Sequence, residues 1–218
     1  MTERTSDPTR TTRCYDLAAK AYGEQFRAEL DGKPFDRWIL DRLAASVPAG
    51  GVVYDVGCGP GQVAAYLARH RHLVVRGLDA SAGMVAVAQH EHPELTFEQG
   101  DMLALRWPDA SVAGIAAFYA IVHFSLGDVS RALDELLRVL VPDGILVLAF
   151  HEGQDVIAIE RFLDIEGAAA TWNFFALDEV LELVKGKPAR VEDAVIRRPY
   201  PGVEHPTNRA YVILRKQG

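Results

Sequence analysis

Short runs rich in Val, Ile and Leu recur along the chain at 51–56, 73–78, 95–99, 111–119 and 144–150, with helical patterns at 62–70, 82–90, 129–139 and 178–185. That alternation predicts a parallel sheet with helices on both faces, because neighbouring parallel strands need a crossover long enough to hold a helix. Two later strands, 190–196 and 209–214, have no helix between them, only a loop carrying Pro199, Pro201, Gly202 and Pro206. They are expected to pair as an antiparallel hairpin. The clearest helix covers 128–140: Asp128 is a plausible N-cap, Leu133, Leu136, Leu137 and Leu140 form an apolar stripe, and Pro142 follows its end. The expected fold is therefore α/β, a doubly wound seven-stranded, mostly parallel sheet with an antiparallel last strand.

At 218 residues and 49% hydrophobic content, one sizeable core is the natural partition. The polar residues 1–13 read as a loose tail, and 14–48 as an N-terminal cap of two helices that ends at Pro48-Ala49-Gly50-Gly51. The connection 151–176 exceeds an ordinary strand-to-helix loop and reads as an insertion. A net charge of -7 gives no general attraction to nucleic acid phosphates. The start lacks the apolar core of a signal peptide, and no stretch approaches a membrane span, so a cytoplasmic monomer or homodimer without a membrane partner is expected. Cys14 and Cys58 lack the spaced partners of zinc or redox motifs, and no metal site is expected.

After the first strand comes Gly57-Cys58-Gly59-Pro60-Gly61, where glycines allow a tight turn and close approach by another molecule. The third glycine arrives one residue too early for the dinucleotide pattern G-x-G-x-x-G, which argues against NAD. An ordinary strand-to-helix turn would use similar residues. Asp79 ends the second strand, 24 residues after Asp55, where such folds place a carboxylate that accepts from ribose hydroxyls. Asp101 follows the third strand, where it could accept from an adenine amino group or simply close a turn. Three acids at three consecutive strand ends would line one crevice.

At this point the chain resembles the class I S-adenosylmethionine-dependent methyltransferase family. The likeness rests on Val53-Tyr54-Asp55-Val56-Gly57-Cys58-Gly59-Pro60-Gly61, on Gly77-Leu78-Asp79-Ala80-Ser81, on Gly100-Asp101-Met102 and on the segment from Leu136 to Gly144. It covers residues 15–150 and departs at Asp143-Gly144, where the family often has two glycines. The resemblance implies that S-adenosylmethionine is the cofactor, with Asp55, Gly57 and Gly59 at its methionine part, Asp79 at its ribose and Asp101 with Met102 at its adenine. Cys58, Gly61, Ala80, Met84, Gly100 and Phe118 would complete that surface. Tyr15 and Tyr22 share one face of a helix similar to the family's lid helix, although plain aromatic packing would explain them equally.

Methyl transfer is an in-line displacement that needs alignment, dryness and, for a hydroxyl or protonated amine, a base. His123, just beyond the fourth strand, is the first candidate and His151, directly after the fifth, the second; each could instead be a structural histidine bonded to a carbonyl. Tyr119, Trp172, Phe174 and Arg209 are expected at an acceptor pocket, with core packing or a surface ion pair as the alternatives. No Asn/Asp-Pro-Pro-Tyr sequence follows the fourth strand, which disfavours an amino-directed nucleic acid enzyme and leaves a small-molecule acceptor. A non-catalytic cofactor binder and a nucleotide-dependent oxidoreductase remain as alternatives.

Overall fold

The computed structural model describes residues 4–218. Its main sheet joins β1 (Val52–Val56), β2 (Val74–Asp79), β3 (Thr96–Gln99), β4 (Val112–Phe118), β5 (Leu140–His151), β8 (Ala189–Arg197) and β9 (Arg209–Lys216) in the order β3-β2-β1-β4-β5-β9-β8. Only β9 runs against its neighbours, pairing antiparallel with both β5 and β8. The missing crossover helix between β8 and β9 is what reverses it, as the sequence predicts. Among the described residues no helix is long and apolar enough to cross a membrane.

One sheet face carries α5 (Leu126–Val139) and α6 (Leu177–Val184); the other carries α2 (Pro34–Ser46), α3 (Gln62–Leu67) and α4 (Ala82–Glu91). Helix α5 buries Val129, Ala132, Leu133, Leu136 and Leu137, the stripe expected of a helix lying on a sheet. Its N-cap is Ser125 and not Asp128. The Ser125 hydroxyl accepts from Asp128 N at 3.1 Å, which places Asp128 in the first turn, where its charge complements the helix dipole. The turn after α5 stays within β5, and Asp143 itself adopts the left-handed conformation (φ 63) that the family's glycine would take.

The predicted loose tail is also corrected. Met1, Thr2 and Glu3 lie outside the described residues, but α1 (Pro8–Phe26) already begins at Pro8. Asp7 caps it by accepting from Arg10 N at 3.0 Å, and proline at the first helical position sacrifices no intrahelical bond. Before it, Arg4 pairs with Glu179 at 2.9 Å and Ser6 donates to Asp128 at 2.5 Å. The two N-terminal helices do different jobs. Helix α2 packs on the sheet, whereas α1 lies over α4 and the 151–176 insertion. That insertion forms a hairpin, β6 (Val156–Ile159) with β7 (Ala170–Asn173), whose apolar side meets Cys14 and Ala18 of α1.

Candidate active site

The carboxyl ends of β1, β2, β4 and β5 enclose a cavity of about 950 Å³ beneath α1 and the β6–β7 hairpin. It sits where connections leave the sheet to both sides of β1, the usual ligand crevice of such folds. Every site residue predicted above lines it except Gly61. Gly61 stands at the start of α3 with φ 86, and a Cβ there would strike Phe97 at 2.8 Å. Its glycine serves the turn and the packing of α3 on the sheet.

The end of the cavity above β1 and β2 is acidic. Asp55 is buried, and its carboxylate accepts from Ala64 N at the start of α3 at 3.0 Å. Burial, opposed by that N–H and reinforced by Asp79 and Glu29, pushes the Asp55 carboxyl up to about 8. Asp79 accepts from Gly59 N and Ser81 N, each at 2.8 Å, and burial still raises its carboxyl above the usual range. Asp101 accepts from Leu103 N at 2.8 Å, closing its own turn while facing the cavity. Asp55 and Asp79, each with its charge disfavoured by burial, suit a cationic ligand.

Two further observations fit S-adenosylmethionine at this end. A Cβ on Gly59 (φ 51) would find only Tyr22 Cε1 within 4 Å, at 3.9 Å, so the turn leaves open space that a larger residue would fill. Gln62, whose amide donates to Glu29 at 2.6 Å, keeps its Oε1 buried without a donor, and the cofactor's ammonium could supply one. Cys58 is buried with its thiol pushed well above the ordinary range, mainly by desolvation, which suits a small turn residue and not a nucleophile.

The two histidines differ in what occupies them. His123 is 8% exposed; its Nδ1 bonds to Thr171 O at 2.7 Å and its Nε2 to the Tyr15 hydroxyl at 2.9 Å. Since a carbonyl can only accept, Nδ1 carries the proton and Nε2 accepts from Tyr15. Desolvation lowers this imidazole to about 4, outweighing the Thr171 bond. His123 is thus neutral and fully engaged, as in the structural alternative, and Tyr15 is tied to it beneath the lid. In His151, Nδ1 bonds to Thr207 Oγ1 at 2.7 Å and the ring stacks on Phe174 at 4.9 Å, while Nε2 has no partner among the described residues. Desolvation, then Arg209, His205 and Lys33, lower it to about 3. Of the two histidines, only His151 keeps a ring nitrogen without a hydrogen-bond partner among the described residues.

Tyr119 completes this end from a left-handed backbone (φ 56), a strained conformation for an aromatic residue, fixed by Tyr119 N donating to Ala149 O at 2.7 Å. Its ring lies 5.1 Å from Lys33 Nζ and 5.6 Å from Arg209 Cζ. Its hydroxyl donates to Asp36 at 3.2 Å. Asp36, 0% exposed, also accepts from Tyr211 and from Arg197 at 2.8 Å, and Arg197 clamps Glu204 through bonds of 2.6 and 2.8 Å. The sequence reading missed this floor. One sign was available: Asp36 stands in register with Ile39, Leu40 and Leu43 on the buried face of α2, where a carboxylate must have partners. Asp16 was missed as well. It ties α1 to α4 by accepting from Ser81 Oγ at 2.6 Å and Gly83 N at 2.9 Å, and no local signal announces a pairing across 65 residues.

Comparison with known proteins agrees with this geometry. Residues 53–144 match the family model of a methyltransferase domain. Over 171 residues the chain is 31% identical to methyltransferase GfsG of Streptomyces halstedii, covering 75% of this chain and 58% of that protein. Over 182 residues it is 33% identical to an O-methyltransferase of Pyrenophora dematioidea, covering 76% of this chain and 64% of that one. The chain thus spans little more than half the length of the first of these relatives. A solved S-adenosylmethionine-dependent methyltransferase from Methanosarcina mazei shares the fold, with a TM-score of 0.70 at 16% identity over 79% of this chain and 95% of that chain. The glycine turn, the acid trio and these likenesses together assign the chain to the class I S-adenosylmethionine-dependent methyltransferase family.

Proposed function

We propose that the protein transfers the methyl group of S-adenosylmethionine to a small organic acceptor held at the His151 end of the cavity. The observation that carries this reading is the continuity of one cavity of about 950 Å³, acidic above β1 and β2 and lined by His151, Tyr119 and Arg209 beyond β4 and β5. Its volume lies at the upper end of the range for ligand pockets, enough for a cofactor and a second small molecule. The identity to a relative named an O-methyltransferase supports an oxygen acceptor.

When bound, the cofactor supplies an electrophilic methyl on a positively charged sulfur that keeps the bonding electron pair. Asp55 and Gln62 would hold its methionine part, Asp79 its ribose and Asp101 its adenine edge. The lid formed by α1 and the β6–β7 hairpin would limit the water that reaches the reacting methyl, while these groups impose its alignment. His151 Nε2 takes the acceptor's proton as the new bond forms, and Thr207 keeps the imidazole oriented through Nδ1. His123 holds the lid through Tyr15 and does not touch the acceptor.

Calorimetry with S-adenosylmethionine followed by turnover of labelled cofactor against phenols, carboxylates, amines and thiols tests the reading. Binding together with label transfer to one class is expected. His151→Ala is expected to slow transfer at least tenfold while cofactor affinity stays nearly constant. Binding without transfer to any class would favour a non-catalytic cofactor binder, and tight NAD binding in its place would exclude a methyltransferase.

A further inference from the structure

The polar groups at the acceptor end are unequally satisfied. Its carboxylates are all engaged: Glu29 accepts from Lys33 at 2.6 Å and from Gln62, Asp36 from two tyrosines and Arg197, and Glu204 from Arg197 and from Tyr200 N at 2.7 Å. The donors are not. Arg209 is 3% exposed, and its Nε is buried with no hydrogen-bond acceptor; the nearest carboxylate, on Glu204, is 3.7 Å away and already held by Arg197. Its Nη1 braces Thr207, whereas Nη2 makes a single bond, to His205 O at 3.2 Å. Lys33, 7% exposed, makes one hydrogen bond among the described residues although its ammonium has three donors.

A buried cationic donor without an acceptor costs free energy that a bound anion would recover. An amine acceptor, charged at neutral pH, would meet Lys33 and Arg209 and find no carboxylate free to receive it. We propose that the acceptor is a hydroxylated organic carboxylate: its carboxylate is the anchor, held by Arg209 and Lys33, and its hydroxyl oxygen is the atom methylated, giving its proton to His151 Nε2 as the methyl leaves the sulfonium, which departs as the neutral thioether. The planar edge formed by Nε and Nη2 of an arginine matches the two oxygens of such a group. The inference rests on the assignment of this end of the cavity to the methyl acceptor.

One consequence concerns the base. Around His151 stand Arg209 from β9, Lys33 from the turn before α2, Tyr119 from the bend after β4, Phe174 from the insertion, and Glu204 and His205 from the loop before β9. Arg209, His205 and Lys33 oppose its protonation, while Glu204 favours it. A carboxylate between Arg209 and Lys33 offsets two of the opposing charges, so the acceptor makes His151 more basic only once it has arrived.

The test is a titration of the whole protein, saturated with S-adenosylhomocysteine, with benzoate, benzamide and phenyl phosphate. Benzoate is expected to bind at least about tenfold more tightly than benzamide, and Arg209→Gln to remove that difference. The ring-nitrogen resonances of His151 should titrate at higher pH with benzoate bound than without it. Equal binding of benzoate and benzamide, tighter binding of phenyl phosphate, or no benzoate binding by the wild type overturns the proposal even if the variant fails to fold. Failure of S-adenosylhomocysteine itself to bind would instead overturn the methyltransferase reading, and the prior cofactor titration separates the two.

Discussion

Cofactor affinity should depend on pH through Asp55, and the size of the effect can be worked from its surroundings. Its carboxyl is pushed up to about 8 by burial, with Asp79 and Glu29 adding to the effect. A cationic ligand binds the ionised form, so the sign is fixed: affinity rises as pH rises through about 8. At pH 7 only about one carboxyl in ten would be ionised, which places affinity about tenfold below its plateau above pH 9. Binding at pH 7 should therefore release about 0.9 of a proton from this site. Calorimetry at pH 6 to 9, in two buffers of different ionisation heat, measures both quantities. Asp55→Asn retains an oxygen for the Ala64 N–H and removes the titration. The cofactor's own amino group titrates against both proteins, so the difference between them isolates Asp55. Equal pH slopes for wild type and Asp55→Asn would refute the reasoning.

Three other outcomes are expected. Asp79→Ala should weaken S-adenosylmethionine binding by at least about tenfold in calorimetry, since it removes the acceptor proposed for the ribose and releases the Gly59 and Ser81 N–H groups. Ser125→Ala should cost about 1 kcal/mol and lower Tm by about 2–4 °C, read by thermal melting, because the first turn of α5 loses its cap. His123, at about 4, is depressed below the unfolded value of 6.5, so its contribution to stability is complete above pH 6.5 and is lost as pH falls toward 4. That amounts to about 2 kcal/mol by pH 5. Urea unfolding of wild type and His123→Gln at pH 7 and 5 isolates it from Asp55, whose raised carboxyl acts with the opposite sign: its stability is complete below pH 4 and is lost as pH rises through about 8.

How much was legible in the chain follows from the range of the interactions. Gly57 to Gly61, Asp79 and Asp101 belong to strand–turn segments whose shape is set by residues nearby, so their arrival in one crevice follows once the sheet order does. The cap of α5 was misplaced by three residues because Ser125 and Asp128 are both good capping residues, and only the backbone geometry separates them. The start of α1 was overlooked although Asp7 at the N-cap and Pro8 at the first helical position are local signals; the contacts of the residues before it, Arg4 with Glu179 and Ser6 with Asp128, span more than a hundred residues and have no such signal.

The sequence by itself determined the α/β architecture, the reversed last strand and the acidic cradle, all of which depend on hydrophobic period, turn chemistry and crossover length. Only the tertiary structure decided which histidine is available. His151 ends β5 and His123 lies in the connection after β4, and Tyr15 and Thr171 engage both nitrogens of His123, while Thr207 engages only one of His151. The same holds for the donor surplus of Arg209 and Lys33. A hydrogen bond needs its partner within about 3 Å, and which distant side chain comes that close is a property of the packed chain.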